Sequence, residues 1–498
     1  MNPAQRPDAE SQPPALPPLQ SFRDVLAGRS ANRDTPGVLW PDFDSQTHAR
    51  LWRRGRAVCT RPEIDAAAPD IIDEPALFVS MYDNHFGHMV AETMPRLPQS
   101  LAEAPGLPLY FTADRPTEAA RTSGMFRAVL GWLDVPLERV RFIHRPTLFR
   151  HLHVAAQGEH LDGPPPARGY LELLEARIAG RLAPARPEGI TFVSRAGLGA
   201  QKGYHAGERY LVACLQELGV RIVYPEALPL PEQMRIYAES RHLVFSEGSA
   251  IHGRQLLGRV DQQISILRRR FRSHIAQHQL QPRCAGLTYA PCYGGALHVS
   301  GPEGRKITHA MASLYAIAPV IEHFETLGVP LRRIWDRAAY ERARDADVLA
   351  WVAAMYRPDI EPWLSPRNAD AALLDQFDPL GLGHLRAEAA ARMRQRSAPR
   401  RVVVAPKPAP PRGEGLSGLV ALRGARGIDL FTRSTDPGQN RARYRCIATW
   451  TGPGDGAALH RHEPAPGHSA AALAQAAAAA SADPVLQRRF SLTDPAGW

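Results

Sequence analysis

Between residues 76 and 267 short apolar runs alternate with longer stretches in which apolar residues return every three or four positions. Ala76 to Tyr82 reads as a strand, and so does Ile190-Thr191-Phe192-Val193-Ser194, which runs into the Gly-rich loop Arg195 to Gly203. From Glu208 onward Leu211, Val212, Leu215 and Leu218 share a helical face, and Gly219 supplies the stop. The pattern then repeats. Val220 to Tyr224 predicts a strand, Pro231 to Ser240 a helix with Pro in its first turn, and His242 to Ser246 another strand. A further helix is expected to start within Gly248 to Gly253 and run through Leu257, followed by a strand at Gln263 to Leu267. Strands and helices alternating at this spacing predict a parallel, doubly wound α/β sheet, whose ligands sit at the carboxyl ends of the strands.

Two such ends carry chemistry. At the first, Ser194-Arg195 and Lys202 face Ser246-Glu247-Gly248-Ser249 across neighbouring strand ends. Small residues let helix N-terminal amides approach a phosphate, and Arg195 and Lys202 can neutralise a diphosphate. A simple cap and a solvated arginine are the alternative. Lys202 is one of only three lysines, with Lys306 and Lys407, in a chain whose basic residues are otherwise all Arg, as a high-GC genome would produce. The second cluster follows the strand at 76–82. If Asp83 or Asn84 caps a helix, His85, His88 and Glu92 fall on one face and Pro95 ends or kinks it. His88 with Glu92 one turn on can serve as a base and its orienter, or the two can simply be satisfied polar residues lining a cleft. The spacing is not that of a zinc-binding His-Glu-x-x-His, and no metal is expected.

Taken together, Asn84-His85-Phe86-Gly87-His88 with Glu92 and Pro95-Arg96-Leu97, Ser194-Arg195 with Lys202, His205 and Glu208, Pro225-Glu226 with Leu228, Glu232 and Gln233, and Ser246 to Ala250 resemble glycosyltransferase family 61, the capsular polysaccharide biosynthesis type, over about residues 75 to 268. Many members carry Gly-Pro-His-Gly-Ala where this chain has Ser246 to Ala250, so the family's histidine has no counterpart in that block. The resemblance implies two Rossmann-like domains in a GT-B-like arrangement, a nucleotide-sugar donor, a glycan or lipid-linked acceptor, inversion at the anomeric carbon, no obligatory metal or other cofactor, and a bacterial surface-polysaccharide role. Read beside the residues themselves, this places catalysis on His88, Glu92 or Glu247, donor binding on Arg195, Lys202, Ser246, Gly248, Ser249 and Glu226, and the acceptor side on Asn84, His85 and Arg96. Glu247 is the ambiguous member, because a carboxylate beside a diphosphate is unfavourable unless it binds hydroxyls or is itself the base.

The chain's 498 residues, 44% of them hydrophobic, suffice for several cores. An unstructured N-terminus is expected over 1–35, a first α/β domain over 36–180, a nucleotide-sugar domain over 185–300 and a mostly helical extension over 301–398. A Pro-rich linker at 399–416 leads to a tail, 417–498, with strand-like runs between Ser417 and Thr451 and an Ala-rich stretch at 470–482. Five scattered cysteines form no metal pattern and suit a reducing cytoplasm. No signal-like start and no long apolar run is present, so a cytoplasmic protein, peripheral at the inner face of the membrane at most, is expected. The formal charge of +10 and Arg268-Arg269-Arg270-Phe271-Arg272 raise the rival of a nucleic-acid or anionic-surface binder, and a non-catalytic sugar-nucleotide binder is a third reading. The basic run has a single aromatic, so no nucleic-acid partner is expected and an anionic membrane surface fits it better.

Overall fold

The computed structural model describes residues 13–44, 52–53, 56–58, 60–182, 186–300, 306–357 and 370–395, and the backbone of five strands between 403 and 461. The chain divides into two compact units, 1–396 and 397–498.

The first unit is mixed α/β. Its first half contains β1 (Gln20–Ala27), β2 (Val38–Leu39), a small β3 (Trp52–Arg53) and β4 (Arg56–Ala57) pair, β5 (Asp70–Ile72), β6 (Ala76–Met81), β7 (Leu109–Thr112), β8 (Val140–Ile143) and β9 (Thr147–Val154). These build a sheet in the order β2-β1-β9-β6-β7-β8, with β5 attached to β9. β6, β7, β8 and β9 pair in parallel and β1 antiparallel. β6 is buried at every position, as a largely apolar run covered on both faces should be. β1 overturns the expectation of an unstructured 1–35. Val25 and Ala27 are fully buried beside Phe78 and Phe149, and this burial outweighs the Pro- and Gln-rich composition of the residues before it. Residues 1–12 lie outside the described residues.

The second half holds β10 (Glu188–Val193), β11 (Tyr204–His205), β12 (Arg221–Val223), β13 (Ser240–Ser246), β14 (Gln263–Leu267) and β15 (Gly286–Ala290). β12-β10-β13-β14-β15 form a sheet that is parallel throughout. The expected helices appear at Glu208–Glu217 and Leu230–Glu239, and another runs over Tyr170–Ile178. The stretch after Gly248 is a 3-10 helix, Ser249–Leu256, rather than an α-helix. β11 joins β16 (Tyr293–Leu297) and β17 (Ala312–Tyr315) in a smaller sheet. Residues after 300 are helical at Ile317–Thr326 and Arg337–Met355, the latter capped by Asp336. They are more than an extension, because Val320, Phe324 and Tyr340 share one core with Phe192, Leu211, Leu215 and Val244.

In the second unit β18 (Val403–Val404), β19 (Leu419–Gly424), β20 (Gly427–Thr435), β21 (Ala442–Trp450) and β22 (Leu459–Arg461) pair antiparallel in chain order. Three of them correspond to the strand-like runs expected between 417 and 451. The remainder of the 399–416 linker and the Ala-rich stretch at 470–482 lie outside the described residues.

Candidate active site

β6 delivers the first cluster. Its chain leaves the sheet at Asp83, whose carboxylate accepts from the backbone N–H of His85 at 2.8 Å and from Nε and Nη2 along one edge of the Arg33 guanidinium. Burial would raise the Asp83 pKa, but the hydrogen bonds from Arg33 and His85 outweigh it and hold the carboxyl below its ordinary value. Phe86–His88 then forms one α turn and Met89–Thr93 a π turn, closed by Met94 N–H donating to Met89 O at 2.9 Å. Thr93 Oγ1 also donates to Met89 O, and Pro95, which has no N–H, follows. The expected long helix is thus a short α turn widened into a π turn.

The widened turn still brings His88 and Glu92 together, Nδ1 to Oε2 at 2.7 Å. Glu92 is 2% exposed and Arg53 Nε lies 3.3 Å from each of its oxygens, while the His88 side chain keeps 29% of its surface open. Burial pushes the Glu92 pKa up, but the His88 hydrogen bond, the His88 charge and Arg53 more than reverse this, so the carboxyl sits below its usual range. The arrangement is a carboxylate fixed from behind by a cation and holding one imidazole nitrogen, with the other nitrogen left for a substrate. His85 stands at the surface with its ring 4.9 Å from that of His88. The surrounding protein, then the charges of His88 and Arg33, lower its pKa to about 4, and Lys202 on the opposing loop adds to the effect. Asn84 is exposed beside them. Arg96 is not at the acceptor side. It is 1% exposed, donates to Ala155 O at 2.9 Å and Val79 O at 3.3 Å, and ties the turn to β6 and to the chain just past β9.

The second cluster centres on Glu208, which is buried at the carboxyl ends of β10 and β13. It accepts from Ser194 Oγ at 2.7 Å, Arg195 N at 2.6 Å, Ser246 Oγ at 2.8 Å and Tyr315 Oη at 3.3 Å. Ser246 thus commits its hydroxyl proton to Glu208 and clamps the end of β13. Glu247 is not an available base: it has no exposed surface and accepts from Arg269 N, Arg270 N, Arg270 Nε and Ser273 Oγ at 2.6 to 3.1 Å. With both oxygens occupied it has nothing to offer a ligand. Arg195 is 6% exposed, and its Nε and Nη2 donate to the carbonyls of Lys202 and Gly203. Its Nη1 lies against Gly248, where a Cβ would stand 1.8 Å away. Only the absence of a side chain at 248 admits the guanidinium. His205, matched by spacing alone, is buried and stacked on Tyr315 with 3.8 Å between ring centroids.

A cavity of 460 Å³ opens between the clusters, lined by Phe86, Met125, Leu228, Arg195, Glu226 and Ser249 among others. Its apolar wall and few polar groups are those of a small-molecule site. A larger depression of 840 Å³ lies around Gly189, His242 and Gln263, at the amino ends of β10, β13 and β14, where α/β sheets do not bind their ligands. The structure thus gathers His88, Glu92, His85 and Lys202 on one side, and Arg195, Glu226 and Ser249 around the cavity. Arg53 and His252 were missed by the sequence reading. Arg53 carries no local signal, whereas His252 stands directly after Ser249-Ala250-Ile251 in the block already singled out. Gly87 packs on it: a Cβ there would be 2.9 Å from His252 Cδ2 and 3.1 Å from Ser249 Cβ. Among the described residues no three His, Cys, Asp or Glu side chains are grouped to hold a metal, and no helix is long and apolar enough to cross a membrane.

The chain is thus a mixed α/β protein with sheets rich in parallel strands, and a hydrogen-bonded His–Glu pair and a partly apolar cavity lie beside their carboxyl ends. Residues 86–254 match the model of the family Glycosyltransferase 61, so this segment of the chain is similar to that family. Enzymes of that family transfer a sugar between a donor and an acceptor. No curated protein matches the chain.

Proposed function

We propose that this protein is an inverting glycosyltransferase that moves a sugar from a nucleotide-sugar to a hydroxyl of a glycan or lipid-linked acceptor in surface or capsular polysaccharide synthesis. The two sheets act as the halves of a GT-B-like enzyme, the first on the acceptor side and the second holding the donor. The observation that carries the reading is the His88–Glu92 hydrogen bond, backed by Arg53, inside the segment that matches the family. His88 Nε2 takes the proton of the acceptor hydroxyl, whose oxygen bonds to the anomeric carbon as the bond to the nucleoside diphosphate breaks. The positive imidazolium is stabilised by Glu92, and the leaving diphosphate by Lys202, Arg195 Nη1 and the amides at the start of 249–256. Asn84 and His85 position the acceptor. The nucleoside lies in the 460 Å³ cavity, with Glu226 bonding its hydroxyls. The chain works in the cytoplasm, and Phe271, 70% exposed beneath the Arg272 guanidinium, gives it a foothold on an anionic membrane surface.

A thermal-shift screen of nucleoside diphosphates and nucleotide-sugars, followed by transfer assays with the ligands that bind, tests this reading. Binding of at least one nucleotide-sugar, with turnover that collapses in His88→Ala while donor affinity holds, is expected. Binding of no nucleotide, or full turnover in His88→Ala, overturns it. Steep salt-dependent binding to generic DNA in their place supports the nucleic-acid alternative.

A further inference from the structure

His252 has a built environment that the transfer step above does not use. Arg283 Nη1 pairs with Glu159 Oε2 at 2.8 Å, both side chains essentially unexposed. Burial raises the Glu159 pKa above its ordinary value against the opposing pull of Arg283, and the 2.8 Å contact with the guanidinium is the geometry of a carboxylate. As a carboxylate it accepts from Gln255 Nε2 at 3.0 Å, which turns the amide oxygen of Gln255 toward His252, 2.6 Å from Nδ1. An amide oxygen only accepts, so the network assigns the proton to Nδ1 and the lone pair to Nε2. The ring is 3% exposed, and among the described residues the bond to Gln255 is its one protein hydrogen bond. Its other edge faces the turn that carries His85 and His88: a Cβ on Gly87 would stand 3.5 Å from Nε2. Burial, then the charge of His88, lowers its pKa to about 4 against the hydrogen bond with Gln255, so the ring is a neutral acceptor. Buried acceptors in folded proteins almost always have a partner.

We propose that His252 is a specificity-determining residue whose Nε2 accepts a hydrogen bond from a hydroxyl of the bound sugar, with no proton transferred. This rests on reading the cleft as the glycosyl-transfer site. The hydroxyl belongs to the donor sugar or to the acceptor, which share this chemistry.

The test has two arms on the full chain. In a long-range proton–nitrogen NMR spectrum of protein labelled at histidine, His252 is expected as the tautomer with Nδ1 protonated and Nε2 bare at neutral pH. Its Nε2 signal moves when UDP-glucose, GDP-mannose or free lactose is added. In kinetics, His252→Asn keeps an amide donor for Gln255 but removes the group at Nε2, whereas His252→Gln places an amide oxygen near that position. His252→Asn is expected to raise one KM about tenfold or more at nearly constant kcat, and His252→Gln to restore part of the loss. A change in donor KM assigns the hydroxyl to the donor sugar, and a change in acceptor KM to the acceptor. A protonated Nε2, an Nε2 signal unmoved by all three probes, or unchanged KM values in a folded His252→Asn overturns the proposal. The spectrum needs no turnover, so a wild-type protein that transfers no sugar counts against the reading of the cleft without deciding the contact of His252.

Discussion

Glu92 and Glu247 are both buried carboxylates at the carboxyl ends of parallel strands, both are met by arginine, and from sequence both are candidates for the base. They differ in where their hydrogen bonds lead. Glu92 receives Arg53 from behind and spends its shortest contact, 2.7 Å, on a histidine that is still partly open. Glu247 receives two backbone N–H groups, a guanidinium and a serine, and every bond ends in the loop that follows β14. The one carboxylate passes its charge on to a side chain that can meet substrate, whereas the other fixes the path of residues 268–273. Buried charge at a strand end is therefore not itself a sign of catalysis; what matters is whether an unsaturated atom emerges from it.

The sharpest way to break this contrast is His88→Ala, expected to lower turnover about 10²- to 10⁴-fold with donor affinity by calorimetry nearly intact. Turnover lost in Glu247→Gln instead, with His88→Ala nearly silent, would reverse the assignment of the two carboxylates. Glu247→Gln is expected to act on stability, costing about 1.5–3 kcal/mol in denaturant unfolding because charge-assisted bonds to Arg270 and the loop amides are lost. Gly248→Ala should cost roughly 1–3 kcal/mol and weaken donor binding, since a methyl group would displace the Arg195 guanidinium. An unchanged melting temperature and donor Kd would show that Arg195 can move aside freely.

Acid probes Glu92 directly. The folded pKa of Glu92 lies below its unfolded value, so its contribution to stability is complete above the ordinary carboxylate range and is lost as pH falls through the lowered folded pKa. The stability gap between wild type and Glu92→Gln should therefore narrow in acid, and a gap independent of pH would show that the His88 and Arg53 contacts do not favour the ionised form. The smallest effect is expected from excess chelator, in which transfer persists because the cations facing the diphosphate belong to the chain; complete loss restored by magnesium would refute this.

Much of the second sheet was legible, because Thr191 to Val193, Leu243 to Phe245 and Ile264 to Ile266 are short buried runs set between helices with clear stops. β1 was not, since its apolar residues follow prolines and glutamines and find their partners in β9, more than a hundred residues later. Of the site, the His88–Glu92 pair could be read from spacing, since both lie within one turn. The buried settings of Arg96 and Glu247 were not legible, because saturation by neighbours is set in three dimensions: the Arg96 guanidinium donates to Val79 and Ala155, and the Glu247 carboxylate accepts from residues more than twenty positions away. Arg53 could not be read at all, as it reaches Glu92 across thirty-nine positions.

The π turn at Met89–Thr93 holds one residue more than an α turn, and it lies between two fixed points, the Asp83–Arg33 pair before it and Arg96 after it. Each residue of a regular helix advances the chain by about 100°, so that surplus residue works as a phase adjuster between the two anchors. Removing a single position from 89–93 would let the helix close regularly, but only by rotating either the imidazole or the guanidinium off its partner. Insertions and deletions are usually borne by loops; here a gap of one residue inside a helix would separate the chemistry from the scaffold, which makes the count between His88 and Arg96 as much a part of the site as the residues themselves.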